Sequence, residues 1–244
     1  MAKCSTIAMI PAKLGSTRLL MKNLALVGGK PLIYYAIKAA MEAGVFDRII
    51  VNAEDEIFSK IACRYGVDFY KRPDSIVSPT TKTDVVVYDF VSKYPCDIVA
   101  WISPIAPFQQ GAEVRKMVEY FRAKGLDSLM TVKHEQVHCI YNGTPVNFKI
   151  NEVFAQTQDL IPVQQFVYST MMWRSSTFRK AFETRGYALL CGKVGYFGVS
   201  KLTSFIVKKE EDLKLADYLM TAMASYKRYV PRYDRIIRNI GRKR

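Results

Sequence analysis

Apolar runs and segments of helical spacing alternate along the first half of the chain. The runs are short and continuous, as in strands buried on both faces of a parallel sheet. They predict strands over residues 6–10, 49–51, 67–70, 97–102 and 128–132. Between them, apolar side chains recur three or four positions apart, which predicts helices over residues 31–43, 56–65, 83–93 and 114–124. Pro31 suits the first position of a helix, and Gly44, Gly66 and Gly125 suit helix ends.

This alternation predicts an α/β fold with a doubly wound, mostly parallel sheet, because strand–helix–strand units in one sheet connect by right-handed crossovers. Ligands of such sheets bind at the carboxyl ends of the strands. The loops over residues 11–29 and 103–110 both follow predicted strands. They are therefore the candidate binding loops.

The regular pattern breaks between His134 and about residue 170. Asn142-Gly143 is a hairpin signal, and the remaining residues follow no clear period, so we expect an inserted arm over residues 134–170. Strands over 194–199 and 204–207 and a helix over 210–225 then return to the main body. The predicted organisation is one domain over residues 1–225, followed by a basic tail over residues 226–244.

The formal net charge is +14 at pH 7. The last eighteen residues carry half of it, because eight basic residues there face the single acid Asp234. A moderately basic body suits a polyanionic ligand such as a nucleoside triphosphate, and a basic tail suits phosphate surfaces. A solvated chain end is the simpler explanation of the tail. Tyr226, Tyr229 and Tyr233 lie among its basic residues, which keeps nucleic-acid binding as an alternative.

The five cysteines indicate reduced thiols, because they are odd in number, scattered and without a Cys-x-x-Cys pair. The chain has no uninterrupted apolar stretch long enough for a membrane helix. Its first residues also lack the features of a secretion signal. The expected location is the cytoplasm. His134 and His138 lie four positions apart, as metal ligands can, but ordinary surface histidines are the simpler interpretation.

The loop from Pro11 to Asn23 holds three cations, two hydroxyls and Gly15 directly after the first predicted strand. Glycine permits close backbone approach, and oriented amides and ammonium groups balance phosphate charge. The loop is neither a Walker loop nor a Gly-x-Gly-x-x-Gly loop. Its chemistry predicts anion binding, with a plain solvated loop as the alternative.

The sequence of this loop resembles the N-terminal signature of the acylneuraminate cytidylyltransferases (CMP-sialic acid synthetases). Residues 14–19 also resemble the cytidylyltransferases for the eight-carbon acid Kdo. Further similarity lies in residues 29–37, 44–51 and 210–216. The resemblance implies a nucleotide-sugar transferase fold of the GT-A or Rossmann-like type, with a homodimer formed through the inserted arm.

The same resemblance implies displacement at the α-phosphate of CTP by the anomeric hydroxyl of an acidic sugar, with Mg²⁺ as the expected cofactor. The positions that match the family's nucleotide-binding residues are Ala12, Lys13, Gly15, Ser16, Arg18, Lys22, Asn23, Arg72 and Thr81. Lys22, Lys13 and Lys208 are the candidate catalytic cations. For Arg72, a surface residue after a strand is the equally good alternative.

The chain departs from the family pattern in its acceptor and metal positions. Ile206 and Lys208 stand where the family has the two aspartates that bind magnesium, and Ile206 has no oxygen to offer. Glu54, Asp55 and Glu210 are the substitute carboxylates nearest in sequence. In the acceptor region, Ser103 and Gln109 replace a glutamine and an arginine, and Ser169-Thr170 replaces Asn-Gly.

The candidate sugar-binding residues are Ser103, Gln158 and Tyr168. Tyr168 belongs to an apolar group with Met171, Met172 and Trp173, which suits either a sugar pocket or a dimer contact, whereas Trp101 suits the core. Three functions stay open at this point. The chain is a cytidylyltransferase for an unusual acidic sugar, a nucleotide-binding homologue without turnover, or a nucleotidyltransferase for another sugar.

Overall fold

The computed structural model describes residues 4–15, 18–78, 80–225 and 230–234. Within these ranges the strands are β1 (Thr6–Pro11), β2 (Leu26–Val27), β3 (Lys30–Pro31), β4 (Arg48–Ala53), β5 (Asp68–Lys71), β6 (Ile98–Ile102), β7 (Ser128–Glu135), β8 (Ile140–Tyr141), β9 (Thr144–Pro145), β10 (Val163–Arg174) and β11 (Val194–Gly198). The α-helices are α1 (Leu32–Ala43), α2 (Ile57–Arg64), α3 (Thr83–Lys93), α4 (Gly111–Ala123), α5 (Ser175–Arg185) and α6 (Glu210–Ser225). No helix of the described ranges is both long and apolar enough to cross a bilayer.

The central sheet has the strand order β11-β7-β10-β6-β1-β4-β5. The neighbours pair in parallel except for β10, which runs antiparallel to both β6 and β7. The mostly parallel sheet predicted from the sequence is therefore confirmed. Because β1, β4, β5 and β6 run in one direction, their carboxyl ends meet at one edge of the sheet.

Two apolar layers cover the two faces of the sheet. Alternate residues of β1 point to opposite faces, as strand geometry requires: Ala8 and Ile10 pack with α1, α2 and α4, whereas Ile7 and Met9 pack with α3 and α5. All four side chains are buried. The continuous apolar run at residues 6–10 is explained by this burial on both sides, which is why the strand could be predicted.

The helices and strands predicted for the first half of the chain are confirmed, with ends that differ by a few residues. Pro31 lies one position before α1, where its fixed backbone leads the chain into the helix. The strand predicted over 204–207 is wrong. Ser204 and Phe205 donate their N–H groups within local turns, and Phe205 packs edge-on against Phe108. Its apolar side chains thus cover a loop instead of joining the sheet.

Strand β10 and helix α5 were not predicted. The amino-terminal part of β10 is mostly exposed, and its buried part includes the polar residues Ser169 and Thr170, so no single period marks it. Met171, Met172 and Trp173, predicted for a sugar pocket or a dimer contact, are instead buried core residues of this strand. In α5, Phe178 is the one large buried side chain. A single apolar position shows no helical spacing, so the sequence did not predict this helix.

The segment that leaves the sheet runs over residues 136–162 and is narrower than the arm predicted over 134–170, because β7 and β10 continue the sheet on both sides. The predicted hairpin forms between β8 and β9, with Asn142 (φ 47°) and Gly143 (φ 79°) in the left-handed conformation that tight hairpins require. Asn147 donates to the carbonyls of Val137 and Ile161 and so joins the two ends of the segment.

We expect Asp84→Ala to lower the free energy of unfolding by about 1–3 kcal/mol, because it leaves buried donors without an acceptor. The buried Asp84 carboxylate accepts the N–H groups of Ala188 (2.6 Å) and Leu189 (3.0 Å), and so ties α3 to the loop after α5. Urea denaturation measures the loss. The control Glu119→Ala, on the exposed side of α4, should change stability by less than about 0.5 kcal/mol. Equal effects of the two changes would contradict the assignment.

Candidate active site

A cleft of about 260 Å³ opens at the edge where the carboxyl ends of the parallel strands meet. This is the edge at which doubly wound sheets bind ligands. Residues from the ends of β1, β5 and β6 and from the start of α3 form its wall. The cleft is lined by Pro11, Ala12, Lys13, Lys22, Asn23, Arg72, Thr81, Thr83, Val86, Trp101, Ser103, Pro104 and Ile105.

The loop after β1 folds back on itself, so that residues ten positions apart meet in the cleft. The N–H of Met21 donates to the carbonyl of Leu14 (3.2 Å), and Met21 adopts a left-handed conformation (φ 48°). A one-turn 3-10 helix over Lys22–Leu24 follows. It places Asn23 so that its Nδ2 donates to the carbonyl of Lys13 (3.3 Å), while its buried Oδ1 has no hydrogen-bond partner among the residues that the structure describes.

Lys22 is a buried cation in a cationic neighbourhood. Burial lowers its pKa below the ordinary value for lysine, and the nearby charges of Arg18, Lys13 and Lys208 lower it further, against the opposing effect of Asp212. Burial and the three neighbouring positive charges all disfavour the ammonium form in the free protein, and only Asp212 favours it. A bound polyanion would remove this penalty, which is the electrostatic behaviour of an anion-binding site.

Arg72 ties the first two strands of the cleft together. Its Nη2 donates to the carbonyls of Ala12 and Asn52 (both 2.9 Å), and its Nε donates to Asn52 Oδ1 (3.1 Å). The side chain is buried, and burial lowers its pKa. The interpretation of Arg72 as a surface residue is therefore wrong: it is part of the cleft wall.

The loop after β6 forms the opposite wall. Ser103 is buried there, and its N–H donates to the carbonyl of Ser169 (2.9 Å). Trp101, predicted for the core alone, packs against the core and also lines the cleft. The sequence signal was available, because residues 101 and 103 are two apart in an extended segment and so face the same side.

Two departures from the family pattern contact each other. Gln109 Nε2 donates to Thr170 Oγ1 (2.6 Å), and both residues are buried. Thr131 Oγ1 in turn donates to the carbonyl of Thr170 (2.9 Å). The replacements at positions 109 and 170 thus form one polar network behind Ser103. The sequence showed each replacement but not their pairing.

Several candidate residues lie away from the cleft lining. Gly15, Arg18 and Lys208 are exposed, although the charges of Arg18 and Lys208 reach Lys22. Gln158 is exposed in a 3-10 turn and contacts the side chain of Gln156. Tyr168 is half-exposed, has φ 59° and stacks on Phe166. Ser16 lies outside the described residues.

The candidate carboxylates do not fit a protein-held magnesium site. Asp55 accepts the N–H of Ile57 (2.8 Å) at the start of α2, and Glu210 pairs with Lys214 on the exposed face of α6. Glu54 accepts the N–H of Leu14 (2.7 Å). Its other oxygen is buried and has no partner among the described residues, so it offers one ligand atom at most. Within the described ranges no three acidic, His or Cys residues are grouped to hold a metal, His134 and His138 included.

The chain is similar in sequence to curated sugar cytidylyltransferases. The chain is 25% identical over 218 residues to N-acylneuraminate cytidylyltransferase of Escherichia coli O18:K1:H7. The alignment covers 86% of this chain and 49% of the relative. The chain is 30% identical over 125 residues to CMP-N,N'-diacetyllegionaminic acid synthase of Legionella pneumophila, over 49% of this chain and 54% of the relative. The chain therefore spans about half the length of these relatives.

The fold is also that of solved nucleotidyltransferases. The structure of CMP:2-keto-3-deoxy-manno-octonic acid synthetase in complex with CTP superposes with a TM-score of 0.68, over 89% of this chain and 99% of that one, at 13% identity. A 4-diphosphocytidyl-2C-methyl-D-erythritol synthase from Anaerococcus prevotii gives a TM-score of 0.61 at 14% identity. The sequence profile of the cytidylyltransferases matches residues 7–181, so the chain belongs to the cytidylyltransferase family.

Proposed function

We propose that the protein couples CTP to an acidic sugar of the sialic, legionaminic or pseudaminic acid kind, giving a CMP-sugar and pyrophosphate. The observation that carries this proposal is the cleft lined by Lys13, Lys22 and Asn23 beneath the loop that resembles the sialic-type signature. The named relatives include enzymes for sialic and legionaminic acids and a pseudaminic acid cytidylyltransferase of Campylobacter jejuni, which is 42% identical over 60 residues.

In the proposed reaction, the anomeric oxygen of the sugar attacks the α-phosphorus of CTP. A new P–O bond forms, and the bond between the α-phosphorus and the oxygen that bridges to the β-phosphate breaks. Pyrophosphate leaves with that electron pair, and the proton of the anomeric hydroxyl passes to solvent. Such a transfer depends on positioning and on neutralising charge at the phosphates. Lys13 and Lys22 supply positive charge in the cleft, and the unpartnered Oδ1 of Asn23 offers an acceptor to a nucleotide donor group.

The remaining assignments belong to the same proposal. Ala12, Gly15, Ser16, Arg18, Arg72 and Thr81 complete the nucleotide site, and Ser103, Gln158 and Tyr168 are the candidate acceptor residues. Ser103 lines the same cleft as Lys13 and Lys22, which supports its assignment to the acceptor. The proposed setting is the cytoplasm, with support from five free cysteines. Most of the basic tail lies outside the described residues, and its role as a phosphate-binding segment stays a prediction.

The exposed apolar side chains of the segment 136–162 support a homodimer formed through that segment. Val153 is 96% exposed and Ile161 80% exposed, and Ile140, Tyr141, Ile150 and Phe154 are exposed as well. An apolar surface of this kind marks a protein contact more often than a solvated face. A second copy of the chain is the proposed occupant.

The acceptor is tested by measuring pyrophosphate release from CTP. We expect release only when a nonulosonic acid is added, because the sugar hydroxyl is the nucleophile. Release with a sugar 1-phosphate, and none with nonulosonic acids, would identify a different nucleotidyltransferase. If CTP raises the melting temperature but no sugar elicits release, the protein binds nucleotide without turnover.

The role of Lys22 is tested by calorimetry with CTP. We expect Lys22→Ala to weaken CTP binding by about ten- to a hundredfold, since a charge-assisted hydrogen bond contributes about 1.5–3 kcal/mol. The control Lys30→Ala removes an exposed lysine of β3 that does not line the cleft, and its Kd should match the parent.

The lowered pKa of Lys22 adds a pH dependence to the same experiment. Because the pKa is lowered, the ammonium group loses its proton at a lower pH than an ordinary lysine. CTP affinity of the parent should therefore fall as the pH rises within the alkaline range below 10.5, the ordinary lysine pKa. Lys22→Arg should resist this fall, because guanidinium stays protonated there. Identical pH profiles for the two proteins would contradict the assignment.

The dimer is tested with Val153→Asp/Ile161→Asp, measured by light scattering after size exclusion. We expect the parent to be a dimer and the double variant a monomer at the same concentration, because four buried charges at a symmetric contact oppose association. The control Leu190→Asp changes an exposed apolar residue after α5 and should leave the dimer intact. A monomeric parent, or a dimeric double variant, would overturn the arrangement.

A further inference from the structure

The triphosphate side of the cleft is rich in cations and poor in free carboxylates. Lys13 and Lys22 line the cleft, and Arg18 and Lys208 are close enough for their charges to act on Lys22. Asp212 is the one acid that acts on Lys22 with them. Its Oδ2 already accepts the N–H groups of Lys208 (2.8 Å) and Lys209 (2.9 Å).

The side chain of Lys208 is exposed, but its backbone is held near the cleft by neighbouring residues. The N–H of the buried Val207 donates to the carbonyl of Ile105 (2.9 Å), which lines the cleft. Val207 also packs in an apolar cluster with Phe108 and with Leu19 of the loop after β1. The backbone at Lys208 is therefore held from one side by the cleft loop and from the other by Asp212.

This position is the one where the family resemblance places a metal-binding aspartate. Lysine there reverses the charge, and Ile206, the other such position, offers no oxygen. An ammonium group offsets phosphate charge by hydrogen bonding and Coulomb attraction, as a divalent cation does, but it needs no carboxylate ligands. With isoleucine and lysine at these two positions, the chain has no carboxylates there to bind a metal cation. The lysine ammonium group supplies a positive charge instead.

We propose that Lys208 occupies the place of a protein-held divalent cation, so that the four cationic groups bind the triphosphate of CTP without a requirement for magnesium. The inference rests on the proposed function, since it concerns the binding of the same nucleotide. It departs from the magnesium requirement that the family resemblance implies.

The experiment measures CTP binding by calorimetry, once with magnesium chloride and once with EDTA. For the parent we expect the two Kd values to agree within about threefold, because the chain itself supplies the charge. For Lys208→Asp we expect binding in EDTA at least about tenfold weaker than the parent, because a carboxylate then faces the phosphates. Lys209→Asp, the matched control at the exposed neighbouring position, should stay within about threefold of the parent.

A second variant restores the family pair. Ile206→Asp/Lys208→Asp should bind CTP weakly in EDTA and recover at least about tenfold on addition of magnesium, because two carboxylates can then hold the metal. Circular dichroism and the melting temperature check that each variant is folded.

The outcomes separate this inference from the proposed function. Parent protein that binds CTP with magnesium but loses more than about tenfold in EDTA would overturn this inference alone. Equal losses for Lys208→Asp and Lys209→Asp would also overturn it, because the effect would then be general charge. Parent protein that binds no CTP in either condition would overturn the proposed function and this inference with it.

Discussion

The cleft depends on the buried guanidinium of Arg72. Parallel pairing brings the carboxyl ends of β1, β4 and β5 to one edge, and Arg72 then bonds to the carbonyls of Ala12 and Asn52 and to the Asn52 side chain. Burying a charged group is costly in free energy unless its hydrogen-bond donors are satisfied. The loop that carries Lys13 therefore starts from a fixed point, and the later elements of the site are built on it.

From that point the loop after β1 is held on both sides. Glu54 accepts the N–H of Leu14, and Asn23 donates to the carbonyl of Lys13. The start of the loop therefore cannot separate from its end, where Lys22 lies, without losing the bond between Asn23 and Lys13. Lys22 thereby stays buried, and this burial disfavours its charged form and lowers its pKa. An anion site that is organised before the ligand arrives avoids the cost of ordering the loop on binding.

The loop after β6 is held by a different set of contacts. Gln109, Thr131 and Thr170 form a buried polar network behind Ser103, where the chain departs from the sialic-type pattern. Such networks are costly when partly satisfied, and the Oε1 of Gln109 has no partner within the described part of the chain. Positions 109 and 170, at which the chain departs from the resembled pattern, are thus joined by a hydrogen bond and belong to one connected network.

The sequence by itself determined the α/β fold and most helices and strands, because apolar runs that are buried on both faces of a sheet are a local signal. It also placed the loop from Pro11 to Asn23 directly after the first strand, and anion binding by that loop stays a prediction. It missed β10 and α5, because their buried residues follow no clear local period. It predicted a false strand at 204–207, because a short apolar run that covers a loop looks the same in sequence as a buried strand. Tertiary structure decided that Arg72 is a buried tie, that Trp101 lines the cleft, and that Gln109 meets Thr170. Those contacts join residues some sixty positions apart, and no periodicity along a chain encodes which distant side chains will face each other.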